Sequence, residues 1–135
     1  MQVLWPNHCV HGTDGSKFHK NLDLTPIHLI VRKGYRKGLD SYSAFFENDR
    51  ISSTGLDGFL RDLGIKSIFL GGLATDYCVL YSALDAIKLG YKTFVLRDAV
   101  RGVGIPQDSV EKAYRLMEEE GICIIESDDI EGAEV

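Results

Sequence analysis

Cys78 is a candidate nucleophile because of its position in the sequence. It follows the apolar run "SIFLGGL" and opens an amphipathic stretch that stops at Gly90. This order predicts a strand followed by a helix that carries Cys78 in its first turn, with Thr75 or Asp76 as the N-cap. Unpaired backbone N–H groups and the helix dipole favour a thiolate there, and the thiolate is the nucleophilic form. The residues alone leave a small buried cysteine equally open.

Charged residues at the ends of other apolar runs could assist such a nucleophile. Lys33 ends "IHLIVRK", where an ammonium could stabilise an anionic sulfur. Arg32, Arg36 and Lys37 compete for that role, and the residues alone do not choose among them. Asp98 ends "TFVLRD", where it could supply a base or cap the following loop.

The stretch "WPNHC" places His8 next to Cys9. The spacing H-C-x-H is not one of the strong zinc patterns, so the residues by themselves favour a loop histidine. Cys9 is interpreted as inert. Cys123 is interpreted in the same way, because it alternates within an apolar run that we expect to be buried.

Aromatic residues are a further candidate feature, since they could line a pocket for a flat ligand or simply pack in the core. They are Trp5, Tyr42, Phe45 and Phe46.

Apolar runs and helical patterns alternate along the chain. The runs 27–33, 65–73, 91–99 and 122–127 predict strands buried on both faces, and the patterns 54–64, 76–90 and 106–120 predict helices. This alternation is typical of a parallel α/β sheet with right-handed crossovers, whose ligand sites lie beyond the carboxyl ends of the strands. The segment 1–26 shows no such rhythm and is interpreted as loop.

The composition bounds the class of protein. The 135 residues carry a net charge of −5 and a pI near 5.3, which argues against nucleic acid or an anionic membrane as a partner. An odd number of cysteines, three, with no leader pattern and no apolar run long enough for a membrane span, predicts a cytoplasmic protein. We expect one domain over 1–126, followed by an acidic tail over 127–135.

Four segments resemble, in order and spacing, the nicotinamidase/pyrazinamidase branch of the isochorismatase-like cysteine hydrolases. They are "WPNHCVHGTDG", "RKG", "DSYSAFF" and "GLATDYCVLYSALDAIKLGYKTFVLRDAVRG", and the match runs from about Leu4 to about Ile125. The combination of "ATDYCV" with "WPxHC" indicates this branch rather than the isochorismatases. The resemblance implies hydrolysis of nicotinamide to nicotinate and ammonia through a cysteine thioester, as in NAD salvage.

The resemblance also implies a role for individual residues. Cys78 would be the nucleophile, Lys33 the triad lysine, and the N–H groups of Ala74 and Cys78 the oxyanion hole, with a cis peptide between Leu73 and Ala74. Asp98 would be structural. His8 would bind a divalent metal, whether zinc, iron or manganese, and the residues that shape the ring-binding pocket would be Trp5, Tyr42, Phe45 and Tyr77.

Two parts of the family pattern do not occur in this sequence: an aspartate ending a first strand, and a D-x-H segment with further metal ligands. The implied fold is therefore a three-layer, mostly parallel doubly wound α/β sheet without its first two strands. The family's strand order, 3-2-1-4-5-6, would leave the edges of 27–33 and 65–73 open. We expect these segments to pair directly, to associate into a homo-oligomer, or to leave the chain poorly stable.

The chain is thus expected to correspond to the C-terminal two-thirds of a nicotinamidase and to be inactive or weakly active by itself, because the base is missing and one histidine cannot hold a metal firmly. Two alternatives stay open. One is another isochorismatase-like amide or ester hydrolase, and the other is a non-catalytic remnant that binds a small ring or a partner subunit.

Overall fold

A computed structural model of the chain describes residues 5–133, which divide into two compact units, 5–30 and 31–133. The second unit contains every α-helix and β-strand of the described part, together with a π-helical turn and a 3-10 helix. In chain order they are α1 (Leu56–Asp62), β1 (Ser67–Leu73), a π-helical turn (Thr75–Val79), α2 (Leu80–Lys88), β2 (Lys92–Arg101), α3 (Ser109–Glu119), β3 (Cys123–Ile125) and a 3-10 helix (Ser127–Gly132).

The three strands form one parallel sheet in the order β1-β2-β3. Leu70, Val95 and Ile124 are partners across this sheet, and all three belong to the core that α2 and α3 complete. The centre of that core includes Ala83 and Met117, both fully buried. One row of apolar side chains across the sheet therefore meets the apolar stripes of two helices.

Glycines end the helices where the sequence predicts. Gly90 follows α2 and Gly121 follows α3, with φ values of 92° and 84°. This left-handed conformation costs glycine little, so each helix stops there and the chain turns directly into the next strand.

The predicted burial of the strands on both faces is wrong for two of the three. β1 is half-buried over its first four residues and exposed over its last three, and buried positions occur only in β2. The physical reason is the strand order, because β1 and β3 are the edges of this sheet. Cys123 pairs with Phe94 of β2, one position before the pair Val95–Ile124 that packs against α2 and α3. Cys123 is exposed, so its expected burial is wrong as well.

The predicted strand over 27–33 is also absent. In the described part of the chain this segment has no hydrogen-bonded strand partner, and its apolar residues Ile27, Leu29 and Ile30 are 37%, 40% and 52% exposed. An apolar run becomes a strand only when a neighbouring strand accepts and donates its backbone hydrogen bonds. The direct pairing expected between this run and β1 is therefore not found.

Residues 5–30 consist mainly of turns and a 3-10 helix, Asp14–Ser16, which agrees with the loop predicted over 1–26 as far as the described residues reach. No helix within residues 5–133 is both long and apolar enough to cross a membrane.

Candidate active site

Cys78 lies in the turn that connects β1 to α2. This turn is π-helical, and the carbonyl of Ala74 accepts hydrogen bonds from the N–H of Tyr77 at 3.1 Å and from that of Val79 at 3.0 Å. The peptide between Leu73 and Ala74 is cis, as the resemblance implies. The expected N-cap is wrong: the helical turn begins after Ala74, and no side chain caps it.

The ammonium of Lys33 is within hydrogen-bonding distance of the sulfur of Cys78. Its Nζ lies 3.4 Å from Sγ, 2.5 Å from the carbonyl oxygen of Ser41 and 2.9 Å from that of Tyr42. An ammonium has three N–H hydrogens, so these three acceptors use all of them. Two neutral carbonyls therefore fix the position of the cation, and the third hydrogen points to the sulfur.

The structure distinguishes Lys33 from its competitors. Arg36 donates to the hydroxyl of Ser52 at 2.7 Å, and Arg32 and Lys37 are exposed. A charged N–H donor therefore lies beside the candidate nucleophile, which is the arrangement of a cysteine with an adjacent cationic partner.

A serine in α2 attaches the Cys78 turn to the loop 41–44. The hydroxyl of Ser82 donates to the carbonyl of Cys78 at 2.6 Å and accepts the N–H of Ala44 at 2.8 Å. Sequence reasoning missed this residue, since its position four residues after Cys78 also suits an ordinary helix serine. The bond helps hold the 41–44 loop, whose carbonyls bind Lys33, beside the turn.

Asp76 is a second residue that sequence reasoning missed in its actual role. The residue is 6% exposed, and its carboxylate accepts three hydrogen bonds: Oδ1 from the N–H of Val103 at 2.9 Å, and Oδ2 from the N–H of Gly104 at 2.9 Å and the hydroxyl of Ser109 at 2.5 Å. Burial opposes its ionisation, but these hydrogen bonds outweigh burial and hold the pKa of Asp76 below its ordinary value.

Three tyrosine side chains pack together beside the Cys78 turn. Tyr42 stacks on Tyr81 with ring centroids 5.3 Å apart and meets Tyr77 edge-on at 5.4 Å. The hydroxyl of Tyr77 donates to the carbonyl of Ile105 at 2.5 Å. Burial, followed by the nearby charge of Asp76, raises the pKa of Tyr77.

Phe45 lies in a different environment from Tyr42 and Tyr77, with which the resemblance groups it as a ring-binding residue. It is 1% exposed and stacks on Tyr91 in a second core cluster with Ala86. Its surroundings are those of a core residue, and its assignment to a ring-binding pocket stays a prediction.

Asp98 has the structural role implied by the resemblance. Its carboxylate accepts hydrogen bonds from the hydroxyl of Ser127 and, at 2.9 Å, from the N–H of the same residue. These bonds lower the pKa of Asp98 and attach the 3-10 helix Ser127–Gly132 to β2.

The two candidates in the first unit are His8 and Trp5. His8 is exposed, and its Nδ1 lies 2.7 Å from the carbonyl oxygen of Pro6, which leaves Nε2 as the nitrogen for a ligand. Trp5 is half-buried. Within residues 5–133 no three His, Cys, Asp or Glu side chains lie together as a metal site would require, so these residues do not by themselves fit a resident metal.

Comparison with known proteins agrees with this geometry. The Isochorismatase domain profile matches residues 2–129. The chain is 44% identical to the nicotinamidase of Acinetobacter baylyi over 129 residues, 96% of this chain and 60% of the relative. It is 48% identical to the nicotinamidase of Escherichia coli over 118 residues, 87% of this chain and 54% of the relative.

Solved structures give the same result. A nicotinamidase/pyrazinamidase of Acinetobacter baumannii superposes with a TM-score of 0.92 at 45% identity, over 96% of this chain and 62% of that one. The yeast nicotinamidase bound to the inhibitor nicotinaldehyde has a TM-score of 0.86 at 29% identity, over 93% and 60%. The pyrazinamidase of Pyrococcus horikoshii, in complex with zinc, has a TM-score of 0.77 at 36% identity, over 91% and 63%.

The chain spans between a half and two-thirds of the length of these curated relatives. The matched part contains the Cys78 turn, the Lys33 segment and all three strands. A profile match over nearly the whole chain, together with relatives at 44% and 48% identity, shows that the chain belongs to the isochorismatase family.

Proposed function

We propose that the chain is the nucleophile-bearing part of a cysteine amidohydrolase that converts nicotinamide to nicotinate and ammonia. The observation that carries this proposal is the Lys33 ammonium 3.4 Å from the Cys78 sulfur, at a strand-to-helix turn in a chain 44% and 48% identical to two nicotinamidases.

The reaction follows from the chemistry of the thiol. The Cys78 sulfur attacks the carboxamide carbon, the C–N bond breaks, and the thiol proton leaves with the amine as ammonia. Water then cleaves the thioester, which releases nicotinate and restores the thiol. The proposed oxyanion donors are the N–H groups of Ala74 and Cys78, because they belong to the turn that carries the nucleophile.

The proposed ring-binding residues are Trp5, Tyr42, Phe45 and Tyr77. Tyr42 and Tyr77 form an edge-to-face pair in the second unit, and Phe45 packs in the core of that unit. His8 is proposed as one metal ligand because its Nε2 is available. No step of the reaction is assigned to a metal, since the described residues do not form a complete metal site.

We also propose that this chain by itself hydrolyses nicotinamide weakly or not at all. All three hydrogens of the Lys33 ammonium go to carbonyls and sulfur rather than to a carboxylate. The carboxylates of Asp76 and Asp98 are used in other hydrogen bonds. Among residues 5–133, no carboxylate is hydrogen-bonded to the Lys33 ammonium or to the Cys78 sulfur, and attack on an amide is slow when no base accepts the thiol proton.

The test uses an aldehyde, because a thiol adds to an aldehyde without needing a leaving group. Nicotinaldehyde is incubated with the chain, iodoacetamide is added, and the alkylation of each cysteine is read by peptide mass spectrometry. We expect nicotinaldehyde to protect Cys78 but not the exposed Cys9 and Cys123. Benzaldehyde, which lacks the ring nitrogen, is the matched control.

Ammonia release from nicotinamide is measured in parallel for the chain and for Cys78→Ala. Equal protection of the three cysteines, or equal protection by both aldehydes, overturns the proposed substrate class. Rapid ammonia release that disappears in Cys78→Ala supports the reaction and overturns the proposal of weak activity.

A further inference from the structure

The carboxylate of Asp76 connects the nucleophile turn to a loop from another part of the fold. Its three donors, Val103, Gly104 and Ser109, lie 27 to 33 residues further along the chain, after β2 and at the start of α3. Asp76 is two residues before Cys78, in the same π-helical turn. A single buried group therefore joins three elements immediately beside the nucleophile.

The opposing loop is shaped to approach this carboxylate closely. A Cβ added to Gly102 would lie 3.3 Å from Oδ1 of Asp76 and 2.2 Å from Cγ2 of Val110, so only glycine fits there without a shift of its neighbours. The adjacent Tyr77 makes a second contact with the same loop, through its hydroxyl and the carbonyl of Ile105 at 2.5 Å. Two consecutive side chains of the turn thus bind one loop.

Asp76 is not itself placed to act as the base. One oxygen accepts a backbone N–H, and the other accepts both a backbone N–H and a hydroxyl. Within the described residues the hydrogen bonds of its two oxygens all go to the loop after β2 and to Ser109, and none goes to the Cys78 sulfur.

We propose that Asp76 is a positioning residue, which holds the Thr75–Val79 turn against the 102–105 loop so that the sulfur of Cys78 stays within hydrogen-bonding distance of the Lys33 ammonium. This inference rests on the proposed function in one respect, that Cys78 is the nucleophile. The Lys33 contact is a long hydrogen bond to sulfur, 3.4 Å, and a small rotation of the turn would break it.

The test measures the rate at which iodoacetamide alkylates Cys78, with Cys9 and Cys123 of the same molecule as internal references. Asp76→Asn replaces one carboxylate oxygen with an N–H₂ group, which cannot accept the hydrogen bonds that Val103, Gly104 and Ser109 donate. We expect Cys78 to be alkylated about tenfold or more slowly, because misplacement of reacting groups by about 1 Å costs up to about a hundredfold. Circular dichroism confirms that the compared samples are folded.

The direction of the change separates positioning from general support of the fold. If Asp76 only stabilised the structure, its loss would loosen the turn and expose the half-buried Cys78, so alkylation would be unchanged or faster. Either of these results in a folded Asp76→Asn protein overturns the proposal. Because the rate is measured without nicotinamide, it does not depend on which amide the protein hydrolyses.

A matched pair of serine variants completes the design. Ser109→Ala removes one hydrogen bond from Asp76, and Ser127→Ala removes the corresponding hydroxyl from Asp98. We expect alkylation of Cys78 to slow about two- to threefold in the first and to stay unchanged in the second. If Asp76→Asn does not fold, this pair decides alone, and equal rates in the two variants overturn the proposal.

Discussion

The turn around Cys78 and the segment around His8 are held in place by different kinds of contact. Cys78 is near Lys33, 45 residues away along the chain, and its turn is bonded through Asp76 to residues 27 to 33 positions later. His8 contacts the carbonyl of Pro6, two residues away. The side-chain hydrogen bonds of Thr13 and Ser16 reach only three residues.

Burial differs in the same way. Thr75 and Asp76 are 1% and 6% exposed, whereas His8 and nearly all of residues 5–30 are exposed. Long-range hydrogen bonds between buried groups fix a side chain in one position, while local turns leave it in water. The second unit therefore fixes the position of Cys78 through its own contacts, whereas His8 of the first unit lies on a locally bonded turn.

The two units should differ most in how much a truncated side chain lowers the free energy of unfolding. Met117→Ala removes a fully buried side chain from the main core and should lower the free energy of unfolding by about 2–5 kcal/mol. Leu22→Ala truncates a side chain that is 52% exposed in the first unit and should change it by less than about 0.5 kcal/mol. Urea unfolding followed by circular dichroism measures both. Similar losses would show that the two units are equally well packed.

Asp76→Asn should lower the free energy of unfolding by about 1–3 kcal/mol at pH 7, because buried N–H and O–H donors lose their charged acceptor. Since the folded pKa of Asp76 is lowered, its stabilising contribution is full above its ordinary pKa of about 3.9. That contribution is lost as the pH falls through the folded value. The difference between wild type and variant should therefore shrink in acid.

Unfolding curves at pH 7 and near pH 3 test this behaviour, with the exposed Asp129→Asn as control. A difference in stability that is the same at both pH values would contradict the role assigned to ionised Asp76.

Lys33→Met should slow the alkylation of Cys78 by about tenfold, because a hydrogen bond from a charged donor to the sulfur is lost. The control is Lys37→Met, which removes an exposed ammonium four residues away. Peptide mass spectrometry gives both rates. Equal rates in the two variants would show that the cation beside the sulfur does not activate it.

His8→Ala should leave the alkylation rate of Cys78 within about twofold of wild type, as is usual for exposed substitutions. The same variant should weaken any binding of added zinc, measured by calorimetry. A large effect on Cys78 would show that the first unit controls the nucleophile, which would break the contrast drawn between the two regions.

Most elements of the second unit could be predicted from the sequence. Short apolar runs predict the positions of β1, β2 and β3, and the glycines after α2 and α3 mark where those helices end. The run 27–33 has the same apolar character but forms no strand, because strand formation depends on a hydrogen-bonded neighbour that a local pattern does not reveal. Cys123 was misjudged for a related reason, since alternation does not tell which face of a sheet is covered.

The residue pattern alone indicates the type of chemistry: a cysteine at a strand-to-helix turn, within motifs that resemble one branch of a hydrolase family. The folded chain establishes which cation lies beside Cys78 and what holds the turn in place. Two loop carbonyls accept hydrogen bonds from Lys33, which distinguishes it from Arg32, Arg36 and Lys37. Asp76 accepts hydrogen bonds from a loop after β2 and does not cap its own helical turn. Both outcomes depend on contacts between residues far apart in the chain, and local sequence preferences carry no information about such contacts.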